Sequence, residues 1–306
     1  MHLRKALLIL LFFGSFSKIM GQQILNFPTI KFGDDLTHVK NEINPISSSF
    51  QLVENKKPNF PLAKDTEVHL IANEINLKTG KLDKVAFTFA DGKLTSIEAI
   101  GNIRQVFLSN RNDAAQLYMG YQVYVKDLLF IDIKNDKAWI LTPEAAHVGI
   151  FTWSNPLLEK PYKLKQYRQS VKKPSFIKMG SSIESLLPKF EARAIVTQLD
   201  TLNGKDPNAQ FQINAYGIEY AGFPRKFEAR FGDGELNKIW ILTGKEEEDR
   251  IRKKLIKLYG KPIFVNDDWE FFEGWSVGLR KDIPEVLFVN EQMSEFYKKI
   301  IKNDEK

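Results

Sequence analysis

The sequence predicts an α+β protein built from two tandem copies of a helix-plus-antiparallel-sheet module, followed by a C-terminal helix. The first observation is a repeat: residues 84–100 read KVAFTFADGKLTSIEAI, and residues 226–242 read KFEARFGDGELNKIWIL. At one fixed offset the identical pairs are Lys84/Lys226, Phe89/Phe231, Asp91/Asp233, Gly92/Gly234, Leu94/Leu236 and Ile97/Ile239. Chance gives only about one identity over such a stretch. Because the offset is as long as a domain, the repeat predicts two modules and not a solenoid.

The second observation is that each repeat has the pattern of a β-hairpin. Ahead of the turn, apolar residues alternate with other residues, as in a strand with one buried face. These residues are Val85, Phe87 and Phe89 in the first copy, and Phe227, Ala229 and Phe231 in the second. Asp-Gly follows in both copies and favours the positive backbone angles of a two-residue type I′ turn. A further strand is predicted ahead of each hairpin, over residues 67–76 and 211–220.

The third observation is a helix-like apolar stripe at the start of each copy. In the first copy, the stripe covers residues 36–43 and stops before Pro45, which a helix cannot continue through. In the second copy, it covers residues 183–190, and Ser182 is available as the N-cap. The pattern therefore predicts that each copy begins with a helix.

Further helices are predicted after the hairpins. In the second copy, Thr243 and Glu246 fit a capping box ahead of an amphipathic stretch. Residues 103–118 are a weaker counterpart in the first copy. The last stretch, residues 293–301, predicts an amphipathic C-terminal helix that has no counterpart.

The chain is therefore predicted to divide into four segments. Residues 1–21 have the basic start and short apolar run of a secretory signal peptide. Residues 22–155 form the first module, residues 156–175 a basic linker that contains proline, and residues 176–306 the second module with the final helix. Each module is predicted to close with short strands around a tryptophan, and the matched pairs are Asp132/Asp268 and Trp139/Trp275.

Composition narrows the possible classes of function. Cysteine is absent, which excludes disulfides and a lipid-modified cysteine. Basic residues number 44 against 38 acidic ones, but Arg4, Lys5 and Lys18 leave with the signal peptide. The remaining charge is mixed along the chain without a basic stripe, so nucleic-acid binding is not predicted. No segment after the signal peptide has the length and apolarity of a membrane helix.

The stretch DDWEFFEGW is the densest chemical cluster in the sequence. Carboxylates beside aromatic rings occur in glycosidase sites and on sugar-binding platforms. On a strand, Asp268 and Glu270 point to one side while Trp269 and Phe271 point to the other, as on a solvent face and a core face. The cluster is predicted to be structural. If it is a site, an aromatic surface of Trp269, Phe271 and Trp275 flanked by the carboxylates is expected.

The predicted linker is the most basic stretch. Its cations include Lys163, Lys165 and Arg168, with Glu159 as the opposing acid. These side chains fit contact with anionic lipid headgroups, an acidic polysaccharide or an acidic partner. The favoured alternative is a solvated connector that its lysines keep soluble.

Metal and nucleophilic chemistry have little support in the sequence. After signal removal the histidines are His38, His69 and His147, and no pair has metal-ligand spacing. His69 on a predicted strand and His147 in a predicted loop leave a Ser-His-Asp triad open, without a Gly-x-Ser-x-Gly turn. No phosphate loop or dinucleotide fingerprint occurs, so no cofactor is predicted.

The order of helix and antiparallel sheet in an exported chain resembles small envelope modules such as the BamE-like and β-lactamase-inhibitor-like proteins. The resemblance covers the order of elements and implies no functional residue. It favours an exported, non-catalytic binding or scaffold protein of the bacterial envelope, periplasmic or extracellular, whose partner is another envelope protein or a polysaccharide. Two alternatives stay open: a polysaccharide-directed hydrolase that uses Asp268, Glu270 or His147, and a periplasmic immunity or inhibitor protein.

Overall fold

The computed structural model describes residues 23–24, 26–55, 58–159, 166–202 and 206–303. These residues divide into two compact units. The first contains the described residues up to 146 together with 154–159, and the second contains 147–153 together with the described residues from 166 onward. The predicted signal peptide lies outside the described residues. Within the described part of the chain, no helix is long and apolar enough to cross a membrane.

The first unit is built on an eight-stranded antiparallel sheet. Ahead of the sheet, β1 (Gln23–Ile24) pairs with β2 (Phe27–Lys31), and α1 (Leu36–Ile43) follows. The sheet strands are β3 (Ser49–Asn55), β4 (Glu67–Leu77), β5 (Gly80–Ala90), β6 (Lys93–Ile100), β7 (Gln116–Tyr118), β8 (Tyr121–Tyr124), β9 (Leu129–Asp132) and β10 (Lys137–Leu141). They lie in the order β3-β4-β5-β6-β10-β9-β8-β7.

The second unit is built on another eight-stranded antiparallel sheet. In the chain, β10 is followed by α2 (Pro143–Gly149) and then by α3 (Ile183–Glu191). The remaining elements are β11 (Val196–Thr201), β12 (Phe211–Tyr220), β13 (Phe223–Gly232), β14 (Glu235–Leu242), α4 (Glu248–Tyr259), β15 (Phe264–Val265), β16 (Trp269–Phe272), β17 (Val277–Arg280), β18 (Glu285–Val289) and α5 (Glu291–Asn303). The strands lie in the order β11-β12-β13-β14-β18-β17-β16-β15. The predicted α+β fold with two antiparallel sheet modules and a C-terminal helix is confirmed.

The two sheets share their strand order and their register. One row of directly opposed residues crosses the first sheet as Leu52, Leu70, Phe87, Ile97, Ile140, Leu129 and Tyr124. The corresponding row of the second sheet is Leu199, Ile213, Ala229, Ile239, Phe288, Val277 and Phe272. Corresponding positions in the two modules can therefore be read from strand pairing alone.

The Asp-Gly turns have the predicted geometry. Asp91 and Gly92 have φ angles of 49° and 79°, and Asp233 and Gly234 have 52° and 80°. Two consecutive positive φ angles define a type I′ turn, which suits the twist of a two-residue hairpin. The hairpin predictions are confirmed in both units.

The first helix of each module also matches its prediction. At the start of α1, the side chain of Asp35 accepts a hydrogen bond of 2.8 Å from the backbone N–H of His38. At the start of α3, the hydroxyl of Ser182 accepts one of 3.4 Å from the N–H of Ser185. These caps satisfy N–H groups that a helix cannot pair internally.

The predicted helix after the second hairpin is present as α4, but its capping box and the predicted helix 103–118 are wrong. No capping box forms at Thr243, because its N–H donates to the carbonyl of Pro284, and α4 begins only at Glu248. Only Arg104–Leu108 of the predicted helix 103–118 is helical, and it forms a π-helical turn. Residues 116–118 instead form β7, since they pair with β8 across a tight turn.

The predicted match between Trp139 and Trp275 is also wrong. Glu98 of β6 lies opposite Trp139, whereas at the corresponding place Trp240 of β14 lies opposite Leu287. Trp139 therefore corresponds to Leu287, and Trp275 lies in the 3₁₀ turn between β16 and β17. Equal spacing from an aspartate did not indicate equal position in the sheet.

Each sheet buries one face against helices. Val39 of α1 belongs to the main core of the first unit, and Leu186 of α3 and Leu255 of α4 belong to that of the second. Burial of apolar surface stabilises such a core by about 25 cal/mol per Å². The C-terminal helix α5 packs on the opposite face of the second sheet, where Met293 joins a separate cluster around Trp240.

Candidate functional site

The predicted aromatic surface lies largely beneath α5. Phe271 is fully buried and Trp275 nearly so, and their rings stack with centroids 4.5 Å apart. Trp269 is half-buried and stacks on Phe271 at 5.1 Å. Tyr297 of α5 lies against both, with its ring centroid 6.2 Å from that of Trp269. The three predicted aromatic residues are therefore brought together as one cluster with a helix packed on it.

The two predicted site carboxylates of this stretch, Asp268 and Glu270, have different surroundings. Glu270 points away from the aromatic rings, as strand alternation predicts, but its face is not a solvent face. Its carboxylate is buried, and both oxygens accept a hydrogen bond of 2.7 Å from Nε of Arg252 on α4. Asp268 is exposed, and its backbone carbonyl accepts a hydrogen bond from Lys281. Glu270 thus anchors a helix to the sheet.

The predicted basic surface is described only in part. Lys163 and Lys165 lie outside the described residues. Arg168 is exposed, and its backbone carbonyl accepts a hydrogen bond of 2.8 Å from the N–H of Gly222. The described end of the linker is therefore fixed to the second sheet by its backbone, while the guanidinium of Arg168 faces solvent.

His69 lies between two polar side chains on the face of the first sheet that is opposite the main core. Its Nε2 donates to Oε1 of Glu67 at 2.6 Å, and its Nδ1 lies 3.1 Å from the hydroxyl of Thr88. Asn155 donates from Nδ2 to both Nδ1 of His69 and Oγ1 of Thr88. Burial is the largest influence on the pKa of Glu67 and raises it, but the interaction with His69 and the hydrogen bonds from Asn55 and Asn59 together lower the pKa below its ordinary value.

This Thr-His-Glu arrangement has the distances of a catalytic relay but not its exposure. Glu67, His69 and Thr88 are each exposed by no more than 2%. A nucleophile must be reachable by its substrate, so this network acts as a fully satisfied polar core. Among the described residues, no three His, Cys, Asp or Glu side chains are grouped so that they could hold a metal ion.

Glu98 lies beside this network and binds the segment that follows. Its Oε2 accepts a hydrogen bond of 2.6 Å from the N–H of Asn155, and its Oε1 accepts one from the hydroxyl of Ser154. Burial raises the pKa of Glu98 to about 7, although both donors act in the opposite direction. The carboxyl therefore holds residues 154–155 against the sheet.

His147 lies in α2 and not in a loop, so that prediction is wrong. Thr142 precedes the helix, and its hydroxyl accepts from the N–H of Ala145 as a cap does. The Nε2 of His147 lies 3.1 Å from the carbonyl oxygen of Pro284. Burial lowers the pKa of His147 to about 4. A neutral, buried imidazole of this kind serves packing.

Exposed apolar side chains mark a different part of each sheet. The large hydrophobic residues most exposed in the described chain are Leu52, Leu117, Ile195, Leu199, Ile263, Val265, Phe296 and Ile300. Apart from the last two, which lie on α5, they occupy or adjoin the edge strands β3, β7, β11 and β15. Open sheet edges are therefore the apolar surface that both units share.

The edges β3 and β11 correspond to each other. Leu52 lies opposite Leu70 and is 42% exposed, and Leu199 lies opposite Ile213 and is 43% exposed. Each leucine follows a glutamine, so the dipeptide Gln-Leu occupies the same place in both edge strands. This dipeptide is the feature of the sequence that the two edges share. Two residues are too few to be recognised as a repeat.

No family model, curated protein or solved structure matches the chain.

In each sheet, one edge strand is long and the other is short. β3 and β11 span seven and six residues, whereas β7 and β15 span three and two. Short strands are one way in which proteins make a sheet edge unattractive to other chains, so the long edges are the candidate sites.

The backbone of β11 presents alternate residues to its open side. The N–H of Leu202 donates to the carbonyl of Gln210, which lies opposite it. In an antiparallel pair, hydrogen-bonded and non-hydrogen-bonded residue pairs alternate. Val196, Gln198 and Asp200 therefore direct N–H and C=O toward β12. Thr197, Leu199 and Thr201 direct theirs to the open edge.

A chain of polar side chains runs to this edge on the face of the second sheet that also carries α5. Gln212 donates to Oδ1 of Asn214 at 2.7 Å, and Asn214 donates to Oδ2 of Asp200 at 2.7 Å. Farther into the sheet, Arg230 donates from Nε to Oε1 of Gln212 at 2.7 Å. Because each amide is oriented by its neighbour, the polar surface beside β11 is held in one arrangement.

Proposed function

We propose that the protein is an exported, non-catalytic binding protein of the bacterial envelope that takes up an extended segment of another polypeptide as an added strand on β3 and β11. The observation that carries the proposal is the pair of long open edges, each with a half-exposed leucine at the end of a buried row. The two modules are inferred to be copies of one helix-plus-sheet unit, since they share strand order and register.

An added strand gains from two sources at these edges. It pairs with the outward N–H and C=O groups, as in recognition by β-augmentation. It also covers Leu52 or Leu199 and so extends the buried row by one residue. Full burial of a leucine contributes about 1.5–3 kcal/mol, so covering the exposed part of each contributes about 1 kcal/mol. Binding at one edge is expected to be modest, because ordering the partner opposes it.

A partner that binds both edges is held more tightly than one that binds a single edge of low affinity. Once one edge holds a segment of the partner, the other edge binds the next segment as an intramolecular event. A duplicated module therefore suits a partner that offers two extended segments, or two copies of one segment. This accounts for why the edges correspond while other parts of the modules diverge.

The distribution of polar groups supports binding over catalysis. His69, Glu98 and His147 are buried and hydrogen-bonded within the fold, and Glu270 is held by Arg252. Each long edge offers outward backbone amides and one half-exposed leucine, which suit the binding of polypeptide, beside polar side chains such as Gln51 and Thr201. Export is proposed from the signal-like N-terminus, and it places the partner in the envelope.

The proposal is tested by capture from a bacterial envelope extract with the mature chain. The test variant carries Leu52→Asp and Leu199→Asp, and the control carries Leu117→Asp and Val265→Asp, which introduce equal charge at the short edges. We expect the control to retain the captured partner and the test variant to lose at least tenfold in affinity. Equal capture by both variants would overturn the proposal. Concentration-dependent self-association abolished by the test variant would also overturn it, by making a second copy the occupant.

A further inference from the structure

The two candidate edges differ at one corresponding position on the face opposite the main core of each sheet. Val53 of β3 lies opposite His69, and Asp200 of β11 lies opposite Gln212. His69 and Gln212 correspond, because each comes directly before a matched member of the shared row. His69 precedes Leu70, and Gln212 precedes Ile213. One edge therefore carries a valine where the other carries a carboxylate.

Two amide side chains hold the carboxylate of Asp200 in place. Its Oδ1 accepts a hydrogen bond of 2.6 Å from Gln198, and its Oδ2 accepts one of 2.7 Å from Asn214. Among the described residues, no Lys, Arg or His side chain forms an ion pair with Asp200. A preorganised carboxylate at a sheet edge favours a partner that supplies the opposite charge.

The alternation of hydrogen-bonding direction along β11 places the Asp200 carboxylate close to an added strand. Asp200 directs its N–H and C=O toward β12, so an added antiparallel strand meets it as a non-hydrogen-bonded pair. Such pairs have the shorter separation, with side chains about 4.5–5.5 Å apart at Cβ. Opposite charges at directly facing positions are favourable and like charges unfavourable.

We infer that Asp200 sets the specificity of the β11 edge for an extended segment that carries lysine or arginine opposite Asp200 and apolar residues on the main-core face, next to Leu199. The corresponding β3 edge selects a segment with an apolar residue opposite Val53, because this valine replaces the carboxylate. The inference rests on the proposed function, since it names the partner chemistry of the same edges. It also gives the two edges different preferences within one fold.

Three capped peptides test the inference directly. Their sequence is Thr-Val-Leu-X-Leu-Val-Thr, where X is lysine, valine or glutamate, so that X and the two leucines fall on opposite faces. Binding of each peptide is measured by calorimetry to the mature wild-type chain and to the Asp200→Val, Asp200→Asn and Val53→Asp variants. Circular dichroism confirms that each variant is folded.

We expect the lysine peptide to bind the β11 edge about two- to fivefold more tightly than the valine peptide, and the glutamate peptide to bind more weakly than both. Asp200→Val and Asp200→Asn should remove the preference for lysine while retaining binding of the valine peptide. Val53→Asp should create a second lysine-preferring site. The preference should shrink at 1 M salt, which screens exposed charges.

The outcomes separate this inference from the proposed function. If the peptides bind with equal affinity, or if both Asp200 variants keep the preference for lysine, the specificity inference is wrong while strand addition stands. If no peptide binds and the amides of both edges exchange at unchanged rates, strand addition itself is wrong and the inference fails with it.

Discussion

Leu52 of β3 and Leu199 of β11 occupy the same position in two separate sheets, and their side chains are exposed to nearly the same extent, 42% and 43%. Each ends a row of opposed residues whose interior members, such as Leu70 and Ile213, are fully buried. We propose that one more strand, supplied by a partner, completes each of these rows.

Changing the edge leucines should leave the fold intact. More than half of each side chain is already buried in the fold, and that part contributes about 1–2 kcal/mol. Leu52→Asp and Leu199→Asp are therefore each expected to lower the free energy of unfolding in urea by no more than about 2 kcal/mol, which leaves the chain folded. As a comparison, Leu70→Asp buries an unpaired charge and should prevent folding. A large loss from either edge substitution would indicate that the leucine belongs to the core.

Arg225 should be among the most sensitive positions of the second unit. Its guanidinium is fully buried and donates two hydrogen bonds of 2.7 Å to Glu247. Arg225→Met leaves that carboxylate buried with less compensation, so a loss of about 3 kcal/mol in the free energy of unfolding is expected.

Substitution of a cation in an exposed ion pair is the control for Arg225→Met. It shows whether the loss of stability depends on burial of the ion pair or only on its charge. Lys298 lies 3.2 Å from Glu295 on the exposed side of α5. Lys298→Met should cost less than about 0.5 kcal/mol. Urea unfolding of both variants measures the difference, and similar losses from the two would contradict the assigned role of burial.

Stability should fall as the pH rises from about 5 to 8, in part because of Glu98. Burial raises the pKa of its carboxyl from 4.5 to about 7 in the folded chain. Between these values the folded carboxyl keeps its proton while the unfolded one loses it, so folding takes up a proton. The contribution of Glu98 is therefore complete below pH 4.5 and is lost as the pH rises through 7.

The size of this effect is measured by replacing the group. Glu98→Gln has a similar shape and keeps a neutral side chain at every pH. Its unfolding free energy should decline less between pH 5 and 8 than that of the wild type, by up to about 3 kcal/mol. Identical pH profiles for the two proteins would show that the carboxyl does not titrate in this range.

The hairpin turns should depend on glycine through the backbone alone. A Cβ added at Gly92 or Gly234 meets no atom within 4 Å, yet both residues have positive φ angles, 79° and 80°. Gly92→Ala and Gly234→Ala should therefore each cost about 1 kcal/mol in thermal or urea unfolding. Gly149→Ala is the control, because that glycine is helical and its added Cβ makes only an ordinary contact. If Gly149→Ala costs as much, the loss has another cause.

The elements predicted correctly were those specified by local chemistry. Alternating apolar residues and Asp-Gly defined both hairpins, and Asp35 and Ser182 marked the starts of α1 and α3. Thr243 failed as a cap because its N–H is used by Pro284, which lies far along the chain. A capping pattern cannot reveal a competing tertiary partner.

The candidate site was not predicted, because exposure at an edge depends on strand order. The sequence predicted the strand that contains Leu70 but not β3, which contains Leu52. Only the order of the sheet makes one an edge residue and the other a core residue. The stretch around Trp269 drew attention by composition, yet Phe271 and Trp275 are buried within its aromatic cluster.

Amide hydrogen exchange in the complex with the captured partner shows directly whether a strand is added at β11. Strand addition protects the amides that point out of β11, those of Thr197, Leu199 and Thr201, and leaves those of Gln198 and Asp200 as they were, since these already bind β12. We therefore expect exchange to slow at alternate residues along β11, with corresponding slowing along β3. Unchanged exchange at both edges while the partner is bound would contradict it.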